Sequence, residues 1–340
     1  MPSQTPIFNS LFPEEDKVET EDFAIAGRLW RTSRVFDTYW RFAVERQRIF
    51  FGRLNGKANP TKDPILQTFK FTNAYRASDR VSQYLIRNVV YKGLQTPQEL
   101  FFRIMLFKVF NKIETWELLE TTLGDLTWEK PRFDQISTLL NRAFERGVRV
   151  YSAAYIMPSG GGRYPRKHDA HLHLLEKLMI EGVPNRITRM ATMSEAFHLL
   201  KSFPMLGDFL AYQFVTDLNY STLCNFSETE FVVAGPGARD GIRKCFPDLP
   251  MDLANEAIKA VCLAQEAEFS RRGLAFPTLW GRSLQLIDCQ NLFCEVDKYA
   301  RVAHPEVTGL SARTRIKQTF RSSGEIPAPY YPPKWNLQPS

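Results

Sequence analysis

The sequence predicts a mainly α-helical protein with a few short strands. Three observations carry this: long runs with apolar residues at helical spacing, few alternating runs, and Gly–Pro stop signals between them. TYWRFAVERQRIFFGRL (38–54) sets Trp40, Val44 and Phe51 on one stripe and Arg41, Glu45 and Arg48 on another, as an amphipathic helix does. LFFRIMLFKVFNKIETWELLETTL (100–123) is apolar almost all round as far as Asn111, which predicts a central buried helix. DAHLHLLEKLMIEG (169–182) reads as a helix stopped by Gly182 and Pro184, and Asp252–Arg271 reads as another. VRVYSAAYIM (148–157) and EFVVAG (230–235) are the strand candidates. Residues 1–20 are polar and unpatterned, so a disordered N-terminal segment is expected there. The last twenty carry five prolines and suit an extended tail over 321–340. Between them, 21–320 is expected to form a single helical domain.

Several function classes are disfavoured at once. No stretch has the roughly 20 apolar residues of a membrane span. The N-terminus has no basic start followed by an apolar core, so no secretory signal is expected. Five cysteines without a CxxC pair fit a reducing compartment. A net charge of +7 fits an anionic partner such as nucleic acid, although many proteins that bind no polyanion are as basic.

VVAGPGARDG (232–241) looks like a phosphate-holding loop. It is not a P-loop, because no Lys-Ser or Lys-Thr follows the glycines, and Asp240 stands where GxGxxG requires its last glycine. A short apolar run, a Gly-Pro-Gly turn and a helix start remain. Gly235 and Gly237 would let backbone approach an anion there, with Arg239 adding charge; a plain tight turn is the alternative.

SFPMLGDFLAYQFVTDLNYS (202–221) resembles a helix-hairpin-helix, whose tight Pro-x-x-Gly hairpin presents backbone amides to a DNA phosphate. Gly207 is its second glycine, and Met205 stands in the place of the first. In base-excision glycosylases built on this motif a catalytic carboxylate lies about twenty residues beyond the hairpin, which here falls beside Glu228 and Glu230.

Together with YWRFAVERQRIF (39–50), DPILQTFKFTNAYRASDRVSQYL (63–85), LFFRIMLFKVFNKIETWELL (100–119), EFVVAGPGARDGI (230–242) and DCQNLFCEVDKYAR (288–301), this stretch resembles one family. It is the helical-domain family of the 5-hydroxymethyl-deoxyuridine (5-hmdU) DNA kinases and the related α-glutamyl/putrescinyl thymine pyrophosphorylases. The resemblance implies a helical fold akin to the helix-hairpin-helix DNA glycosylases. It also implies a part in making hypermodified thymine in DNA, where a hydroxymethyl-uracil is phosphorylated and an amine or amino acid displaces the phosphate group. With no P-loop, the chain is expected to be the transferase-like member or a DNA-binding module partnering a separate 5-hmdU kinase, not the kinase itself. A glycosylase-like enzyme is the third reading, weakened by the absence of a Schiff-base lysine after the hairpin.

Such chemistry needs cations for the leaving phosphate, a base for the amine proton and a pocket for an extruded base. Asn73, Arg76 and Arg80 fall at i, i+3 and i+7, predicting one helix face that clamps phosphate or, alternatively, an Arg–Asp brace with Asp79. Asn111 and Glu114 interrupt an apolar run, so Glu114 either pairs with an Arg or serves the site. SGGGRYPRKHDAHLH (159–173) joins a glycine run to Arg163, Arg166 and Lys167, suiting a mobile basic loop over DNA or a solvated one. Its histidines lack an i, i+4 pair, so no metal is expected, and no cofactor is expected either. Asp288, Asn291 and Glu295, with Gln290 beside them, form an amide-and-acid stripe that either reads a base edge or amine or caps an internal polar network. Glu230, Asp288 and Glu114 are thus the candidates for proton transfer. DNA is the expected partner, no membrane is, and the expected location is intracellular and DNA-associated, nuclear in a eukaryote.

Overall fold

The computed structural model describes residues 21–321, 324 and 326–339. The N-terminal segment 1–20 lies outside the described residues. Along the chain run β1 (Asp22–Ile25), β2 (Arg28–Arg31), α1 (Arg34–Leu54), α2 (Pro64–Thr68) and α3 (Arg80–Tyr84). There follow α4 (Pro97–Phe110), α5 (Ile113–Leu123), α6 (Phe133–Glu145), α7 (Lys167–Ile180), α8 (Val183–Ile187), α9 (Met193–Lys201) and α10 (Asp208–Leu218). The last three helices are α11 (Pro236–Cys245), α12 (Ala254–Arg271) and α13 (Leu286–Ala303). The mainly helical reading holds. The two short antiparallel strands pair Asp22 with Arg31 through Ile25 with Arg28, across a turn where Ala26 and Gly27 take positive φ.

Neither strand expected from the sequence forms: residues 148–157 and 230–235 are irregular. Part of their apolar surface is buried by side-chain anchoring instead, while Val148 and Ile156 stay exposed. Val150 and Met157 are buried, and Thr115 Oγ1 donates to the Val150 carbonyl at 2.8 Å. The expected long helix over 100–123 is two helices. Asn111 takes a left-handed conformation (φ 48°, ψ 39°) and ends α4, and α5 restarts two residues later. Asn tolerates that conformation better than any neighbour in the run.

The chain groups into two compact units, where the sequence reading placed one domain over 21–320. One comprises the described residues through Asp79, Val232–Pro329 and the residues from Leu337; the other comprises Arg80–Phe231 and Tyr330–Asn336. No composition break marks the crossings.

In the first unit α1, α11, α12 and α13 surround a core rich in aromatic rings. Trp40 meets Phe36, Tyr39 and Phe269 edge-on with ring centroids 5.0–5.8 Å apart. Helix α11 lies tightly on α13 because its contact face is made of small residues. A Cβ on Gly241 would sit 2.7 Å from the Phe293 carbonyl carbon and closer still to its oxygen, and one on Gly237 would come 3.1 Å from Cys294 Sγ. The two glycines therefore let two helix backbones approach. At the end of α11, Lys244 makes a buried pair with Asp297 of α13 at 3.0 Å, and the Lys244 carbonyl accepts the Ser33 hydroxyl that caps α1.

In the second unit α4, buried on nearly every face, is the centre, and it takes Glu99, Arg103 and Lys108 into the interior with it. Beside it α9 and α10 pack as a helix pair, begun by a capping box in which Thr192 and Glu195 satisfy each other's amides. Among the described residues of the proline-rich tail one turn forms at Pro333–Trp335, and within this unit the tail is tied down. Lys334 Nζ donates to the Ser221 and Cys224 carbonyls at 3.1 and 2.8 Å, and Trp335 packs edge-on against Tyr220.

Gly241→Ala is expected to destabilise the protein by about 3 kcal/mol, because neither backbone can yield cheaply. Gly207→Ala, with nothing within 4 Å of the added carbon, should cost about 1 kcal/mol or less. Urea unfolding of both variants compares the two.

Candidate nucleic-acid interface and polar clusters

In the second unit two helices joined by a tight turn stand where the sequence resembles a helix-hairpin-helix. Helix α9 ends at Lys201, Ser202–Leu206 make the turn, and Gly207 caps α10 in an extended conformation. Met205 holds the left-handed corner (φ 68°) that a glycine ordinarily fills. The backbone thus keeps the hairpin geometry where the sequence departs from it. The amides of Gly207, Asp208 and Phe209 have no partner among the described residues, as at the start of any helix without a side-chain cap. Asp208 beside them is held by Lys201 at 2.6 Å. Glu230 is exposed on the same helix pair: its neighbour Phe231 packs on Phe197 of α9 and Tyr212 of α10.

The glycine run lies against this hairpin. Gly160, Gly161 and Gly162 all have φ between 73° and 78°, and a Cβ on Gly160 would meet Met205 Sδ at 3.3 Å. Of the three basic residues that follow, Arg163 is exposed and makes no ion pair among the described residues. Arg166 lies over the Phe144 ring at 4.7 Å and Lys167 over Tyr151 at 4.8 Å. Cation–π contacts of this kind hold a cation at the surface without neutralising it. His171 is buried and bridges the Tyr151 hydroxyl (2.8 Å) and the Pro158 carbonyl (2.7 Å). Burial lowers its pKa to about 4, so the imidazole is neutral, with Nε2 donating to Pro158 and Nδ1 accepting from Tyr151. His173 instead faces Glu176 at 3.7 Å on the surface.

Beneath lies a pair that the sequence reading passed over. Lys108 of α4 and Asp217 of α10 meet at 2.8 Å, both almost wholly buried. Lys108 Nζ also donates to Asn111 Oδ1 at 2.7 Å and lies 4.5 Å above the Tyr155 ring. Asn111 is therefore the third member of a buried polar cluster. A Lys in the apolar run LFFRIMLFKVF and an Asp at the end of the apolar run of α10 were the available signals. Glu114, expected in the interior, is exposed in the first turn of α5, paired with Lys112 at 3.2 Å and Arg80 at 3.8 Å. Its own backbone N–H and then Lys112 hold its carboxyl below the usual range.

In the first unit, residues 71–79 do not form the helix that would align Asn73, Arg76 and Arg80. The segment is extended as far as a short 3-10 turn at Arg76–Ser78. Side chains take over its backbone bonds. Buried Arg46 donates to the Thr72 carbonyl (2.8 Å) and to Asn73 Oδ1 (3.1 Å). Glu295 accepts from the Thr72 amide at 2.9 Å and pairs with Lys298 at 2.7 Å. Both Asp288 oxygens accept backbone amides, from Arg76 at 2.8 Å and from Gln285 at 3.0 Å, so Asp288 caps α13 and holds the turn. Gln290 is wholly buried with an unpartnered Oε1, and Asn291 is part-exposed. On α11, Gly235 is the N-cap, and Arg239 is half-buried without an ion pair among the described residues.

Asp79 is the titrating group of this cluster. The Asn73 amide donates to its Oδ1 at 2.8 Å, and no hydrogen bond among the described residues takes up its second oxygen. Burial raises its pKa to about 7; the Asn73 bond opposes the rise, Glu295 adds to it, and Arg76 and Arg46 moderate it. An unfolded aspartate titrates near pH 4, so the folded state holds the proton more tightly, and stability falls as pH rises from about 4 to 7. Asp79→Asn removes that loss. The variant should gain on the wild type as pH rises through this window, read by urea melts at about pH 5 and pH 8. A pH-independent difference would show an ordinary carboxyl.

The sequence profile described as "5-hmdU DNA kinase, helical domain" matches residues 33–309. A 5-hmdU DNA kinase of Bacillus phage SP10 is 24% identical over 286 residues, a match that takes in 78% of this chain and 45% of that protein. The chain thus spans about half the length of that relative. No solved structure matches it. The profile covers both units, the hairpin and both polar clusters, and on that breadth the chain belongs to the family of 5-hmdU DNA kinase helical domains.

Proposed function

We propose that this protein acts on DNA in thymine hypermodification, transferring an amine or amino acid onto an activated phosphomethyl- or pyrophosphomethyl-uracil. The observation that carries the reading is the hairpin at Ser202–Gly207 with the glycine run packed on it, inside a segment matched to a DNA kinase's helical domain. Free amides at the start of α10 suit a DNA phosphate, and Arg163, Arg166 and Lys167 add charge beside them. Of the three arginines expected to hold the departing phosphate, Arg239 is the better candidate, since Arg76 is almost wholly buried and Arg80 is paired with Glu114. In the transfer, the amine nitrogen bonds to the base methylene carbon, the carbon–oxygen bond breaks, and its electron pair leaves with the phosphate. The ammonium proton passes to a carboxylate. Asp79, with a free oxygen and a pKa near 7, is better matched to that task than Asp288, whose oxygens are taken, or Glu114, which is ion-paired. Glu230, exposed beside the hairpin, is the second candidate.

That two of the three carboxylates expected from the sequence are structurally engaged favours a second reading, a DNA-binding module that presents substrate to a separate kinase. Mass analysis of nucleosides separates the two. The protein is incubated with DNA carrying phosphorylated or pyrophosphorylated hydroxymethyl-uracil and a panel of amines. A new amine-bearing nucleoside is expected, and its absence while DNA binding persists leaves the module reading.

Binding should fall with salt through counterion release. Replacing Arg163, Arg166 and Lys167 with Ala should reduce the slope of log affinity against log salt by about 2 to 3, since each phosphate neutralised by a cation contributes nearly one. An unchanged slope would remove this loop from the interface.

A further inference from the structure

Beside the hairpin, residues 151–158 form a loop anchored at both ends. Tyr151 is held by His171, Met157 is buried and the Pro158 carbonyl accepts from His171. Tyr155 takes a left-handed conformation (φ 56°) and stacks flat on Phe209, the second residue of α10, with centroids 5.7 Å apart and planes 9° from parallel. The Lys108 ammonium lies on the same ring. Between these anchors Ile156 is 70% exposed.

We infer that Ile156 is a wedge that enters the base stack of duplex DNA beside the nucleotide to be modified. Its surroundings select that partner. Its neighbour Tyr155 stacks on Phe209 in the first turn of α10, where the amides of Gly207 and Asp208 have no partner among the described residues and suit a phosphate. Exposed Arg149 and Arg163 flank the loop in sequence and make no ion pair among the described residues. An apolar tip with backbone donors on the packed neighbour and cations close by in the sequence is complementary to a phosphate-lined groove with an apolar stack inside it, and small aliphatic wedges of this kind unstack base steps. β-branching leaves Ile few rotamers, so little entropy is lost on insertion. Filling the stack would stabilise the duplex while a base is turned out.

The inference rests on the proposed action on DNA, and the test keeps the two apart. The full chain is titrated with duplex DNA carrying 2-aminopurine next to a hydroxymethyl-uracil, with anisotropy reporting binding and fluorescence reporting unstacking. The wild type should bind and raise the fluorescence several-fold at saturation. Ile156→Ala should melt at the wild-type temperature, still saturate, and lose most of the rise, about five-fold or more. Ile156→Phe should restore it, and Arg163→Ala should weaken binding yet keep the rise once saturated. A full rise with Ile156→Ala, or wild-type binding with no rise, overturns the wedge and leaves the proposed function standing. Failure of the wild type to bind DNA sinks both.

Discussion

The first unit depends on how closely α11 can lie on α13. That closeness exists because Gly241 has no side chain where the Phe293 backbone passes. With the helices in contact, Lys244 reaches Asp297 and the Ser33 cap reaches the end of α11, so three helices are fixed by one approach. The same approach sets the rotation of α13, which carries Asp288 and Glu295 to the segment at residues 71–79. A segment without regular backbone pairing survives in the interior only because these side chains and Arg46 satisfy its amides and carbonyls. Gly237 and Gly241 of the VVAGPGARDG stretch are thus accounted for by packing, and Gly235 is the N-cap of α11.

In the second unit the buried Lys108–Asp217 pair has the corresponding role. Two charges taken out of water repay their desolvation poorly, but removing either partner strands the other at about 3–5 kcal/mol. The pair therefore specifies an arrangement more than it stabilises one. It fixes α4 against α10, and through Asn111 and the Tyr155 ring it fixes the end of α4 and the loop beside the hairpin. Neutral His171 performs the same service for the start of that loop. The surface that faces outward is consequently rigid beneath and free at its tip, the arrangement a preorganised binding site requires.

Much of the candidate interface was legible in residue order. Pro204 and Gly207 before an apolar helix signalled the hairpin, although Met205 breaks the motif, because backbone geometry there depends on the turn more than on one side chain. The glycine run and its cations were visible as local composition. Asp79, Lys108 and Asp217 were not read as site residues. A carboxyl titrating near pH 7 looks like any other Asp until its neighbours, from Arg46 to Glu295, are known, and those lie far from it in the chain.

Helical periodicity, cap residues and stop signals act over four or five residues, so the sequence by itself determined the helices, the broad α class and the hairpin. Whether VRVYSAAYIM and EFVVAG become strands depends on finding a partner edge, and none among the described residues reaches them; only the tertiary structure decided that. It likewise decided that Asn111 would divide one apolar run into α4 and α5, that Glu114 would face water and Lys108 would not, and that the chain would group into two units. In each case the energy at stake is burial of a polar or apolar group, and burial is a property of what packs against a residue, not of its neighbours in sequence.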